Sequence, residues 1–162
     1  MATSDWYLYI SQDLNYRILF PDKPKVQVKN IHTEVGEIEQ ATAFLISNGA
    51  AKIEFQVIVS KYSNQMFQNA DVDSIKLIIQ NTIAHEMMTS LNGELIYENT
   101  AELKGTPCDW FLIKYQNHLA LKSCLIWDHY NLISLLHYSD YKQRLSSESD
   151  RFFNSFELLT KK

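Results

Sequence analysis

Several groupings of side chains have types and spacings that could do chemistry. His85-Glu86-Met87-Met88-Thr89 opens like the HExxH zinc-protease helix, which needs two imidazoles one turn apart to grip one metal. Thr89 occupies the second position, so the segment reads as an ordinary surface pair. Asp71-Val72-Asp73-Ser74 opens like a calcium loop but lacks the central glycine and the closing bidentate glutamate. Helix capping by aspartate is the better expectation. His118 and His137 are expected at the same end of a sheet, with Asp140 near them. Such a trio could hold a metal or supply a general base; histidines in tight turns and at strand ends are more often backbone-compatible choices. Cys108 and Cys124 sit among Trp110, Phe111, Leu125 and Ile126, outside any CxxC pair, and are expected to be reduced core thiols. No GxSxG, GxGxxG or GxxxxGK[ST] run is present. No catalytic, metal or cofactor-binding residue is therefore expected, and the chain does not read as an enzyme.

The aromatic residues are the more telling feature. Trp6, Tyr7, Tyr9, Tyr16, Tyr62, Phe67, Tyr130, Tyr138 and Tyr141 are too many to be fully buried together. Tyrosine and tryptophan favour interfaces because each offers a large area with few rotors. Trp6, Tyr7, Tyr9, Tyr62, Phe67, Tyr130, Tyr138 and Tyr141 are the candidate interaction surface. The competing reading is a set of rings half-buried at the rim of a sheet.

Composition narrows the field. The 162 residues fit one domain spanning 1–162. Apolar residues make up 46%, charged residues 21% and aromatic residues 12%, an ordinary globular balance leaning towards strands. The net charge of −4 comes with scattered lysines and arginines, so the clustered basic face of a nucleic-acid binder is not expected. No apolar run approaches the ~20 residues of a membrane span. The first residues, Met-Ala-Thr-Ser-Asp-Trp, carry neither a basic nor an apolar signal region, and a soluble chain in a reduced cytoplasmic setting is the expectation.

Positioning such groups falls mainly to hairpins. Trp6 to Ile10 and Tyr16 to Phe20 read as strands around a polar turn, and Pro21 and Pro24 then stop the ladder. Val26 to Thr33 follows, with Val26, Val28 and Ile31 expected to face inward. Glu34-Val35-Gly36-Glu37 turns the chain into a strand over Ile38 to Ser47, and Asn48-Gly49 is a strong hairpin signal. Lys52 to Ser60 alternates, with Ile53, Phe55, Val57 and Val59 on the buried side. From Val72 to Leu91 apolar residues recur every three or four positions, which predicts a helix closed near Gly93. Lys76 and Glu86 interrupt its apolar arc. Tyr62 to Ala70 leads into that helix and could form a lip over a groove.

Glu94 to Leu103 alternates again, and Lys104-Gly105-Thr106-Pro107 turns the chain. Cys108 to Gln116, Leu119 to Trp127 and Tyr130 to Tyr138 carry apolar residues on both faces and should lie centrally, covered on both sides. Asn117-His118 and Asp128-His129 are expected as their tight loops. A final helix is predicted over Leu145 to Leu158. The expectation is an α+β fold with one antiparallel sheet of about eight to nine strands and two principal helices, without βαβ alternation.

Three segments carry a resemblance. Tyr16-Arg17-Ile18-Leu19-Phe20-Pro21-Asp22-Lys23-Pro24 is a strand running into Phe-Pro-x-x-Pro, and Leu103-Lys104-Gly105-Thr106-Pro107 is a Gly-x-Pro turn between strands. Arg151-Phe152-Phe153-Asn154-Ser155-Phe156-Glu157-Leu158 forms an aromatic tail. Together they resemble the PsbP-like superfamily, which includes DcrB-related bacterial proteins and the Ran-binding Mog protein. The resemblance implies an α/β/α sandwich that acts as a binding or assembly module and not as an enzyme. It carries no shared functional residues.

Two functions remain open on these grounds. One is a non-enzymatic interaction module that takes a protein partner or its own copy. The other is a small-ligand binder or enzyme with a pocket between sheet and helix, motivated by the two-sided apolar strands from Cys108 to Tyr138. No cofactor, nucleic acid, membrane or particular small molecule is indicated.

Overall fold

The computed structural model describes residues 5–33, 36–46, 53–68 and 71–160. The Asn48-Gly49 turn lies outside them. Ten strands form two antiparallel sheets among these residues, not one sheet of eight or nine. β1 (Tyr7–Ser11), β2 (Tyr16–Phe20) and the short β10 (Glu157–Leu158) make a small sheet in the order β1-β2-β10. The large sheet contains β3 (Lys25–Thr33), β4 (Gly36–Ile46), β5 (Glu54–Lys61), β6 (Glu94–Leu103), β7 (Thr106–Tyr115), β8 (Leu119–Asp128) and β9 (Asn131–Asp140). Its order is β3-β4-β5-β9-β8-β7-β6. Helix α1 (Val72–Ser90) joins β5 to the far edge strand β6, and α2 (Ser147–Asn154) precedes β10.

The apolar alternation of β5, β7, β8 and β9 gives the large sheet two covered faces. Phe55, Val57, Val59, Cys124, Ile126, Ile133 and Leu135 meet Tyr16, Ile18 and Phe20 of the small sheet and Phe152, Phe153 and Phe156 of the tail. Phe111, Ile113, Leu121, Leu125, Leu132 and Leu136 point the other way, towards Ile79 of α1 and Phe67. The strands expected to be central are interior and doubly covered. Two of the three segments behind the resemblance meet directly, Leu19 donating its N–H to Ser155 Oγ (2.9 Å) and Phe20 packing on Phe152, and Leu103 of the remaining one belongs to the same buried cluster; Arg151 also lies over Trp6.

Several local expectations shift. Val26 and Val28 are exposed (55% and 58%), because β3 is an edge strand and the small sheet does not extend over it. The last helix stops at Asn154, where Ser155 turns its hydroxyl back to the Phe152 carbonyl (2.8 Å) and the chain leaves to pair with β2. In the β7–β8 turn Gln116 and Asn117, not His118, take positive φ; in the β8–β9 turn His129 does. Lys104 and Gly105 both have positive φ, as a two-residue hairpin loop requires. Asp71 caps α1, accepting from the Asp73 N–H. At the other end Asn92 is the left-handed residue, while Gly93 sends its N–H to the Met88 carbonyl (2.9 Å). Gly93 is glycine for a different reason: a Cβ there would stand 2.5 Å from the Ile113 side chain.

Candidate functional site

α1 is tied to the sheet on one flank and stands clear of it on the other. On the tied flank Gln80 acts as a clasp. Its Oε1 accepts from Trp127 Nε1 (3.0 Å), and its Nε2 donates to Asp109 Oδ2 (2.6 Å), whose other oxygen accepts from Thr100 (3.1 Å). Lys76, one turn earlier, lies 5.0 Å from the Trp127 ring and 5.7 Å from that of Tyr130. This cation–π contact explains a lysine inside the apolar arc. Gln80→Ala is expected to cost roughly 1–3 kcal/mol in urea unfolding, because it strips partners from a half-buried indole N–H and a carboxylate. A loss within error would mean the clasp does not hold the helix.

On the free flank a cleft of about 450 Å³ opens between α1 and the β3–β4–β5 part of the sheet. Its walls are Ile31, Ile38, Ile78, Ile79 and Ile83; Gln40, Ser60, Thr82, Tyr62 and Glu86 supply the polar groups. Gln40 donates to Ser60 Oγ (3.1 Å) across β4 and β5, fixing part of the floor. Burial pushes the Tyr62 phenol up to about 12, and the Glu86 carboxylate adds to the shift. Tyr62 therefore stays a neutral hydrogen-bonding group near an exposed carboxylate. Glu86, the second break in the apolar arc, is part of this lining.

The candidate aromatic surface does not form one patch. Trp6, Tyr7 and Tyr9 belong to the hairpin side, where Trp6 packs edge-on to Phe55 (6.0 Å), Tyr9 on Phe20, and Tyr7 is 39% exposed. Tyr62, Phe67 and Tyr130 gather with Trp127 on the α1 side, with Phe67 stacked on Tyr130 (4.8 Å). Phe67 and Tyr62 are buried, so they pack the 3-10 turn Asn64–Phe67 and its neighbours instead of facing solvent. Tyr138 is half-buried, and burial lifts its phenol to about 12. Tyr141 lies between Lys114 and Arg144.

The histidine grouping does not assemble either. His137 is 2% exposed, stacked on Phe55 at 4.2 Å, and donates from Nδ1 to the Glu54 carbonyl (3.1 Å). His118 is exposed and turns Nδ1 to the Gln116 carbonyl (2.7 Å), while Asp140 accepts from the Lys142 N–H. Each side chain is engaged locally. Among the described residues no three His, Cys, Asp or Glu groups converge as a metal site. Cys108 and Cys124 are buried thiols, and burial raises Cys124 far above the usual thiol range. No helix among the described residues is long and apolar enough to cross a membrane.

The small sheet and α2 on one face and α1 on the other make this a PsbP-like α+β fold. The chain is similar to the solution structure of cyanobacterial PsbP (CyanoP) from Synechocystis sp. PCC 6803, with a TM-score of 0.56 and 14% identity over 94% of this chain and 92% of that one. A protein of unknown function from Pseudomonas aeruginosa, PA94, aligns with a TM-score of 0.41 and 12% identity over 90% of each chain. No family model matches the sequence. No curated protein matches it. At such identities the likeness is one of fold, and no functional residue is carried across.

Proposed function

We propose that this protein is a non-enzymatic binding module that holds a small amphipathic ligand in the cleft between α1 and the β3–β4–β5 part of the sheet. The observation that carries this reading is the cleft itself: about 450 Å³, with isoleucine walls and a few polar groups. Ligand sites typically span roughly 300–1,000 Å³ with this mixture of an apolar body and sparse hydrogen-bonding groups. Among the described residues Glu86 is the carboxylate of the lining and His32 its imidazole, and no lysine or arginine lines the cleft. The fitting ligand is uncharged or cationic. The separate engagement of His118, His137 and Asp140 favours binding over catalysis. The buried free thiols suit a reduced cytoplasmic compartment.

N-phenyl-1-naphthylamine, an uncharged apolar fluorophore, tests the cleft. Saturable enhancement of its emission is expected with the wild-type chain. Thr82→Trp, which fills the cleft from α1, should weaken binding at least ~10-fold, an effect on the order of 1.4 kcal/mol. Equal binding by this variant, or no saturable binding by the wild type, would overturn the reading.

A second reading, binding of a protein partner or of its own copy, is favoured by a different observation. Both edge strands of the large sheet, β3 and β6, are exposed along most of their length.

A further inference from the structure

The two edges of the large sheet match each other. Six antiparallel steps separate β3 from β6, so the two strands run in the same direction. Residues paired across strands share a face. Lys29 pairs with Gln40 and Glu98 with Phe111, which places Lys25, Gln27 and Lys29 of β3, and Glu98, Thr100 and Glu102 of β6, on the α1 face. Lys25–Lys29 and Glu98–Glu102 have the same four-residue spacing, about 13 Å along a strand. On the opposite face β3 shows Val26 and Val28, and β6 shows Tyr97 and Ala101. None of the four charged side chains makes an ion pair among the described residues.

We propose that copies of this chain join head to tail, β3 of one lying parallel to β6 of the next, so that the large sheet continues from copy to copy. The regular part of β6 begins after the bulge between Leu95 and Tyr97, and β3 begins just after Pro24, which has no N–H to donate. Over that stretch Lys25 meets Glu98 and Lys29 meets Glu102, with Val26 and Val28 beside Asn99 and Ala101. Like edges do not pair in this way: two β3 strands would oppose lysines, and two β6 strands glutamates. The contact is heterologous, and it yields a ring or an open chain of copies, not a two-fold dimer. This inference is independent of the cleft.

Charge reversal tests it on the full chain. At low salt the wild type is expected to show, by sedimentation velocity, concentration-dependent species larger than a dimer. These should dissociate near ~1 M salt, where the screening length falls to about 3 Å. Lys25→Glu/Lys29→Glu and Glu98→Lys/Glu102→Lys should each sediment as a monomer with unchanged circular dichroism. An equimolar mixture of the two should assemble again, because every junction then pairs an acidic edge with a basic one. A monomeric wild type at all concentrations, a reversed chain that still assembles alone, or a mixture that stays monomeric would each overturn the proposal. The last result is what charges serving only to keep edges apart would give.

Discussion

Replacing Phe152 by alanine is expected to remove about 3–5 kcal/mol of folding stability, read as a lowered urea midpoint. Phe152 is completely buried, with ring centroids 5.5 Å from Phe20, 5.1 Å from Phe55 and 5.3 Å from Phe153. One side chain of α2 thus touches both the small sheet and the large one. A cavity left there could not collapse without moving one layer against the other. Phe152→Leu keeps most of the apolar volume and should lose less. A loss under ~1 kcal/mol for the alanine variant would show that the layers hold together without this ring.

The second large effect is a pH dependence from His137. Burial first, and the nearby Lys122 charge in addition, lower its imidazole to about 4, against an ordinary 6.5. Above pH 6.5 neither the folded nor the unfolded chain protonates it, and it contributes no slope. As pH falls below 6.5 the unfolded chain takes up the proton and the folded chain does not, so stability declines until the folded imidazole titrates near pH 4. The decline attributable to this group is on the order of 3 kcal/mol. Carboxylates also titrate near the lower end of this window, so the decisive comparison is with His137→Phe, which preserves stacking on Phe55 and has no proton to gain. Urea midpoints at pH 7 and 4.5 should fall further for the wild type than for the variant. Identical declines would remove His137 from the account.

The interior of this fold was legible wherever both sides of a strand are covered. Phe111, Leu112 and Ile113 in β7, and Leu135 and Leu136 in β9, are apolar in succession because each face packs against a different layer. Val26 and Val28 alternate just as Phe55 and Val57 do, yet lie open. Alternation records which side chains share a face, not whether anything covers it. The separate small sheet was hidden for a related reason: β1 and β2 look like any other strands, and Glu157 and Leu158 form a strand only because β2 offers them an edge. The cleft left a trace in the two interruptions of the helical apolar arc. Lys76 is accounted for by the Trp127 and Tyr130 rings and Glu86 by the cleft, but the flank from which α1 stands clear is decided by Gln80 gripping Trp127 and Asp109. That contact spans residues far apart in the chain.

The strand order also sets a timetable for synthesis. Within β3 to β5, and within β6 to β9, each strand pairs with the next in sequence, but the two groups meet only where β5 joins β9, as in Val57 with Leu135. On a ribosome making the chain from its N-terminus, the row Phe55, Val57 and Val59 is paired on one side only, with β4, until β9 emerges, and has no full cover until Phe152 and Phe153 follow. The nascent first half is therefore a sheet with one sticky side and an open flank, the kind of intermediate that calls for shelter before release.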